Sequence, residues 1–102
     1  MLHLSDHDEK RLGELCAEFG VRRLELVGSG LTDDFDPARS DVDFIVEFGD
    51  PGSRGAFMQY MGLKLEMESL LGRPVDLIEL SQLTNPYLIR SLTERRRSIY
   101  AA

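Results

Sequence analysis

The sequence predicts an α/β or α+β domain in which a small three-stranded sheet is covered by helices. Two observations carry that prediction. The spacing of hydrophobic residues alternates between the helical and the strand period along the chain, in the order helix, strand, turn, strand, helix, strand, helix. Glycine, proline and short polar residues fall where the period changes. The chain has 102 residues and contains no repeat, low-complexity stretch or linker. Residues 1–102 are therefore expected to form one domain with one modest core.

Residues 5–19 are predicted to be a helix. Ser5 or Asp6 can cap it, acids occupy its first turn, and Leu12, Leu15, Cys16 and Phe19 share one face. Gly20 suits the C-terminal cap. Residues 21–27 read as a strand with Leu24 and Leu26 on one face, ended by Gly28-Ser29-Gly30. A short helical turn after Ser29 and a loop through Pro37 follow. Residues 41–48 are the clearest strand: Val42, Phe44, Val46 and Phe48 alternate with Asp41, Asp43, Ile45 and Glu47. After a loop at 49–53, residues 54–71 form a long helix with Phe57, Tyr60, Met61, Leu63, Met67, Leu70 and Leu71 as its buried stripe, stopped by Gly72. Residues 75–80 are a third strand, with Asp76, Ile78 and Leu80 on one face. Pro86 can open a last helix that docks through Leu88, Ile89, Leu92 and Ile99.

Composition narrows the functional classes. A hydrophobic content of 42% with 29% charged residues is ordinary for a soluble globular chain. No apolar run approaches the roughly 20 residues needed to span a bilayer, and the N-terminal residues lack a signal-peptide pattern. A membrane role is not expected, and a cytoplasmic location is. The single cysteine, Cys16, fits a reducing compartment. The net charge of −6 disfavours general binding to nucleic acid, because phosphate backbones demand a basic face. The dense basic patch is Arg95-Arg96-Arg97, read as a solvated helix face, while Asp33, Asp34, Asp36, Asp41 and Asp43 crowd one segment. His3 and His7 read as part of a frayed terminus.

Three features bear on chemistry. Strand alternation puts Asp41 and Asp43 on one side, about 7 Å apart. Two carboxylates that close repel unless a cation lies between them, and hard cations such as Mg²⁺ take carboxylate and phosphate oxygens together. On its own the pair fits an exposed acidic strand start equally well. Gly28 allows a close approach of backbone to a phosphate, and Ser29 adds a hydroxyl, although Gly-Ser is also an ordinary strand-ending turn. Asp76 interrupts an otherwise apolar strand. If that strand lies beside residues 41–47, Asp76 joins the acidic pair and can accept a proton from a hydroxyl; otherwise it is a water-facing edge residue.

The ordered set is more specific than its parts. Leu26-Val-Gly-Ser29, Ser40-Asp-Val-Asp-Phe-Ile-Val-Glu47, Leu71-Gly-Arg-Pro-Val-Asp-Leu77, Asn85-Pro-Tyr-Leu88 and Arg97-Ser-Ile-Tyr100 follow one another over most of the chain. This resembles the nucleotidyltransferase superfamily that includes the catalytic domain of DNA polymerase beta, and within it the minimal, antitoxin-like nucleotidyltransferases. The resemblance implies a nucleotidyltransferase fold with a small mixed three-stranded sheet and about four helices. It implies that Gly28 and Ser29 hold nucleotide phosphates, and that Asp41, Asp43 and Asp76 are the catalytic carboxylates binding two Mg²⁺ ions. It implies transfer of AMP from ATP to a hydroxyl of a partner, typically a tyrosine of a HEPN-domain RNase toxin encoded nearby. With no second domain to hold an acceptor, the acceptor is expected on that partner or on a second subunit of a homo-oligomer.

The sequence departs from the family pattern after Ser29. Gly30-Leu31-Thr32-Asp33-Asp34 stands where a small residue, an arginine and a glycine are usual. Acids there repel a triphosphate, with Arg39 a candidate to compensate. The departure leaves open an alternative, a protein of this fold that neutralises its partner by binding alone. A cation-binding domain with no nucleotide role is weaker, because residues 33–43 lack the ligand spacing of an EF-hand loop.

Overall fold

A computed structural model describes residues 2–28 and 41–102. The elements are α1 (Asp6–Glu18), β1 (Val21–Val27), β2 (Val42–Phe48), α2 (Ala56–Leu71), β3 (Val75–Ile78), α3 (Pro86–Thr93) and β4 (Arg96–Ala101), with 3-10 turns at Gly52–Arg54 and Leu80–Gln82. The four strands form one mixed sheet in the order β3-β2-β1-β4. β1 pairs antiparallel with both β2 and β4, while β2 and β3 run parallel. A parallel neighbour cannot be reached by a tight turn, so the chain crosses over through α2.

Local chemistry explains the elements. Ser5 Oγ accepts from the Asp8 amide at 3.1 Å and caps α1, whose first turn carries Asp6, Asp8 and Glu9 against the positive end of the helix dipole. Gly72 ends α2 in the left-handed conformation, with its amide bonded to the Glu68 carbonyl. Asn85 caps α3 through bonds from the amides of Tyr87 and Leu88, and Pro86 fills a first-turn position that needs no amide proton.

The core lies between one face of the sheet and helices α1 and α2. Leu24, Leu26, Val42, Phe44, Val46, Val75 and Leu77 meet Leu12, Leu15, Cys16, Leu63 and Met67 there. Each large side chain moved out of water contributes about 1.5–3 kcal/mol. Desolvation pushes the buried Cys16 thiol up to about 12, which keeps it protonated and unreactive.

The structure corrects several expectations. The last helix stops at Thr93, and residues 96–101, expected to continue it, form β4 at the edge of the sheet. Ile99 lies seven residues beyond Leu92 and so fits a helical stripe by spacing. Pairing wins because β1 would otherwise present an unpaired row of backbone groups, and Ile99 and Tyr100 favour an extended chain. The basic run is therefore not a helix face. The sheet has four strands rather than three, and the described residues hold three α-helices. The helical turn expected after Ser29 lies outside the described residues. β3 ends at Ile78, and Leu80 enters a 3-10 turn. Phe57 is 73% exposed rather than buried, because the inward face of α2 runs through Gln59, Leu63 and Met67 at intervals of four. Leu2 and Leu4 pack into the core on either side of exposed His3, so residues 2–4 are not frayed.

Gln59 was not foreseen as a core residue. It is only 3% exposed, and its side-chain amide donates to the carbonyls of Phe19 at 2.9 Å and Gly49 at 3.3 Å. It thus ties the end of α1 to the end of β2 from within α2. Gln59→Leu keeps the volume but orphans both carbonyls. Urea denaturation should show a loss of about 1–3 kcal/mol; unchanged stability would show that water replaces the amide.

Candidate active site

Three strand ends build the site. β1 leads out into Gly28, β2 begins just after Asp41, and β3 begins one residue before Asp76. In the sheet register Val27 stands opposite Asp43, and Asp43 stands opposite Asp76. Residues directly opposite one another project to the same face. That face is not the one packed on α1 and α2: Phe44 and Leu77, adjacent in sequence, point into the core instead.

The structure brings Asp43 and Asp76 together, with Asp41 near enough to act on Asp43 electrostatically. Burial, then the charge of Asp76, then the charge of Asp41, hold the Asp43 carboxyl above the usual carboxylate range. A hydrogen bond between the Asp43 and Asp76 side chains adds to the shift. Asp43 is half-buried, whereas Asp41 and Asp76 are exposed.

Gly28 touches this cluster. Its φ is +71°, and a Cβ placed on it would lie 2.8 Å from Asp43 Oδ2. Both the left-handed backbone and the contact require glycine. Ser29, the other expected phosphate ligand, lies outside the described residues.

Two side chains of α2 fix β3, and sequence reasoning passed over both. Glu68 accepts from the Val75 amide at 2.9 Å, and Tyr60 donates to the Leu77 carbonyl at 2.9 Å. These bonds flank Asp76 on either side. Tyr60 was assigned to the buried stripe, and Glu68 carried no signal beyond its place on the same helix.

The donor chemistry suits a hard divalent cation. Among the described residues no three His, Cys, Asp or Glu side chains form a closed metal-binding group. Mg²⁺ does not require one, because it is usually held by one or two carboxylates and completes its shell with water and substrate phosphate oxygens. A cation would also relieve the repulsion that raises Asp43.

Further along the same face is a cavity of about 280 Å³, lined by Arg23, Glu25, Ile45, Glu47, Glu79 and Leu80 among others. Ile45 is the next residue after Asp43 on that face of β2, but Asp41, Asp43 and Asp76 do not themselves line the cavity. Glu25 is 8% exposed and pairs with Arg96 of β4 at 3.4 Å.

Residues 9–99 match the model of the nucleotidyltransferase domain family. The chain is 34% identical over 77 residues to a Methanocaldococcus jannaschii protein provisionally named a protein adenylyltransferase, a match covering 76% of this chain and 75% of that protein. It is similar to a solved structure provisionally named a minimal nucleotidyltransferase, with a TM-score of 0.65 and 27% identity, covering 87% of this chain and 86% of that one. It also shares its fold with a chain in the complex of the tri-AMPylated Shewanella oneidensis HEPN toxin with its MNT antitoxin, at a TM-score of 0.62 and 19% identity, covering 92% of this chain and 70% of that one. Among the described residues no helix is long and apolar enough to cross a membrane.

Two outcomes follow from this geometry. A raised carboxyl pKa means that the folded state holds the Asp43 proton more tightly than the unfolded state, so ionisation of Asp43 destabilises the fold as pH rises above the ordinary carboxylate range. Without divalent cations, Asp43→Asn should therefore melt at a higher temperature than the parent at neutral pH, and the advantage should vanish on acidification below that range. A lower melting temperature at neutral pH would contradict the electrostatic account. Gly28→Ala combines backbone strain with a steric clash, and calorimetry should show a loss of about 1–3 kcal/mol.

Proposed function

The chain belongs to the nucleotidyltransferase domain family, and on that premise we propose that it transfers AMP from ATP to a hydroxyl, most simply a tyrosine, of a partner protein. The partner in this reading is a HEPN-domain toxin, and the transfer silences it in the cytoplasm. The observation that carries the reading is the alignment of Asp43 with Asp76 across parallel strands, with Asp41 coupled to them and Gly28 in contact. The adenylyltransferase relative and the toxin–antitoxin fold neighbour support the choice of AMP and of the partner.

In this mechanism Asp41, Asp43 and Asp76 would hold Mg²⁺, and the close backbone of Gly28 together with Ser29 would receive the phosphates. Bound Mg²⁺ supplies charge stabilisation for both the attacking and the leaving oxygen. The acceptor hydroxyl attacks the α-phosphate in line. A bond forms from the acceptor oxygen to the α-phosphorus, and the bond to the bridging oxygen breaks. Pyrophosphate leaves, and the hydroxyl proton passes to Asp76. Asp76 suits that role because it is exposed and its strand is fixed on both sides by Glu68 and Tyr60. The cavity lined by Ile45, on the same face of β2 as Asp43, offers the acceptor segment a place to dock.

The sequence at Asp33 and Asp34 favours the second reading, neutralisation by contact alone, since acids beside the phosphate turn oppose a triphosphate. Incubation with labelled ATP, Mg²⁺ and the purified product of the neighbouring gene separates the two. Transfer predicts label on the neighbour and a drop of at least about a hundredfold with Asp43→Asn or Asp76→Asn. A tight complex without label would leave binding alone, and equal label with either variant would remove these carboxylates from the mechanism.

A further inference from the structure

The sheet register aligns four residues in one row across all four strands. Arg96 of β4 stands opposite Val27, Val27 opposite Asp43, and Asp43 opposite Asp76. Residues in such a row project to one face, and the Arg96–Glu25 pair confirms the side, because Glu25 lies two residues before Val27 on β1. The basic run at the chain's end thus places one arginine on the acidic face. Arg97, the next residue, projects to the other face and pairs with Glu9 of α1.

We propose that Arg96 binds the β- and γ-phosphates of the nucleotide, the pyrophosphate that leaves. The proposal rests on the nucleotidyltransferase reading of the site. Two strand spacings separate Arg96 from Asp43 at the backbone, about 9–10 Å. An extended arginine and a polyphosphate chain together cover that gap. Between them in the row Val27 is uncharged and buried, and Gly28 adds no side chain, so neither contributes an acid to the phosphates.

The state of Arg96 suits the task. Its side chain is 44% exposed, and its contact with Glu25 at 3.4 Å engages one of the five guanidinium donors. The remaining donors match phosphate oxygens in a bidentate fork. Glu25, largely buried in the neighbouring row, anchors the arginine through one contact and leaves the other guanidinium donors available. The demand for such a cation is visible in the sequence. No basic residue occurs from Gly28 to Ala38, and Asp33, Asp34 and Asp36 fall in that stretch. The positive charge that the phosphate turn lacks comes instead from the opposite edge of the sheet.

Calorimetric titration with a non-hydrolysable ATP analogue, with pyrophosphate and with AMP, each with Mg²⁺, tests this on the whole chain. Arg96→Gln should weaken the analogue and pyrophosphate by about ten- to a hundredfold and leave AMP unchanged. Arg97→Gln, on the other face, should change none of the three. Because Arg96→Gln leaves Glu25 unpaired, the double variant Glu25→Gln/Arg96→Gln is measured beside it. That variant should recover the melting temperature without recovering pyrophosphate binding. Equal pyrophosphate affinity in parent and Arg96→Gln, AMP weakened as much as the analogue, or full binding in the double variant would each overturn the assignment. If the parent binds neither the analogue nor pyrophosphate, the nucleotide reading itself falls and takes the assignment with it.

Discussion

Asp43 and Asp76 stand opposite each other on two parallel strands, and like charges at that spacing repel. The rest of the structure can be understood as what holds that pair in place. β2 is an inner strand, flanked by β1 and β3, so it cannot yield without breaking two sets of ladder bonds. β3 is short and lies at the edge, so it is the strand that repulsion would move. It is held from α2, where Glu68 takes the Val75 amide and Tyr60 reaches the Leu77 carbonyl. Burial, and then the charges of Asp76 and Asp41, hold the Asp43 carboxyl above its usual range. Carboxyls perturbed in this way cluster at functional sites.

The two faces of the sheet divide the work. One face packs its aliphatic residues and Phe44 against α1 and α2. The other face carries Arg96, Glu25, Asp43, Glu47 and Asp76. Alternation along each strand makes the division obligatory, because neighbouring residues must point to opposite sides. Arg96 and Arg97 show the consequence most simply. They are adjacent and chemically identical, yet one joins the acidic face beside Glu25 while the other anchors the sheet edge to Glu9 of α1.

α2 links the two faces. It buries Leu63 and Met67, bridges the ends of α1 and β2 through Gln59, and reaches β3 through Glu68 and Tyr60. A helix that serves as crossover, core layer and clamp has little freedom to shift. Phe57 and Met58, near its start, face outward and take no part in these contacts.

The sequence by itself determined the local order. The alternation from Val42 to Phe48, the stripe of Leu12, Leu15 and Cys16, and the cap at Ser5 were legible because they depend on residues a few positions apart. Tertiary structure decided everything that depends on register between distant segments. A slip of one residue between β2 and β3 would have turned Asp76 into the core and Leu77 outward. Nothing near Asp76 in the chain specifies that choice; the packing of Val75 and Leu77 on the core and the bonds from α2 do. Residues 96–101 were misread as helix for the same reason, since their spacing permits either state and the open edge of β1 selects the strand. The place of Arg96 in the row of Asp43 followed only from that pairing.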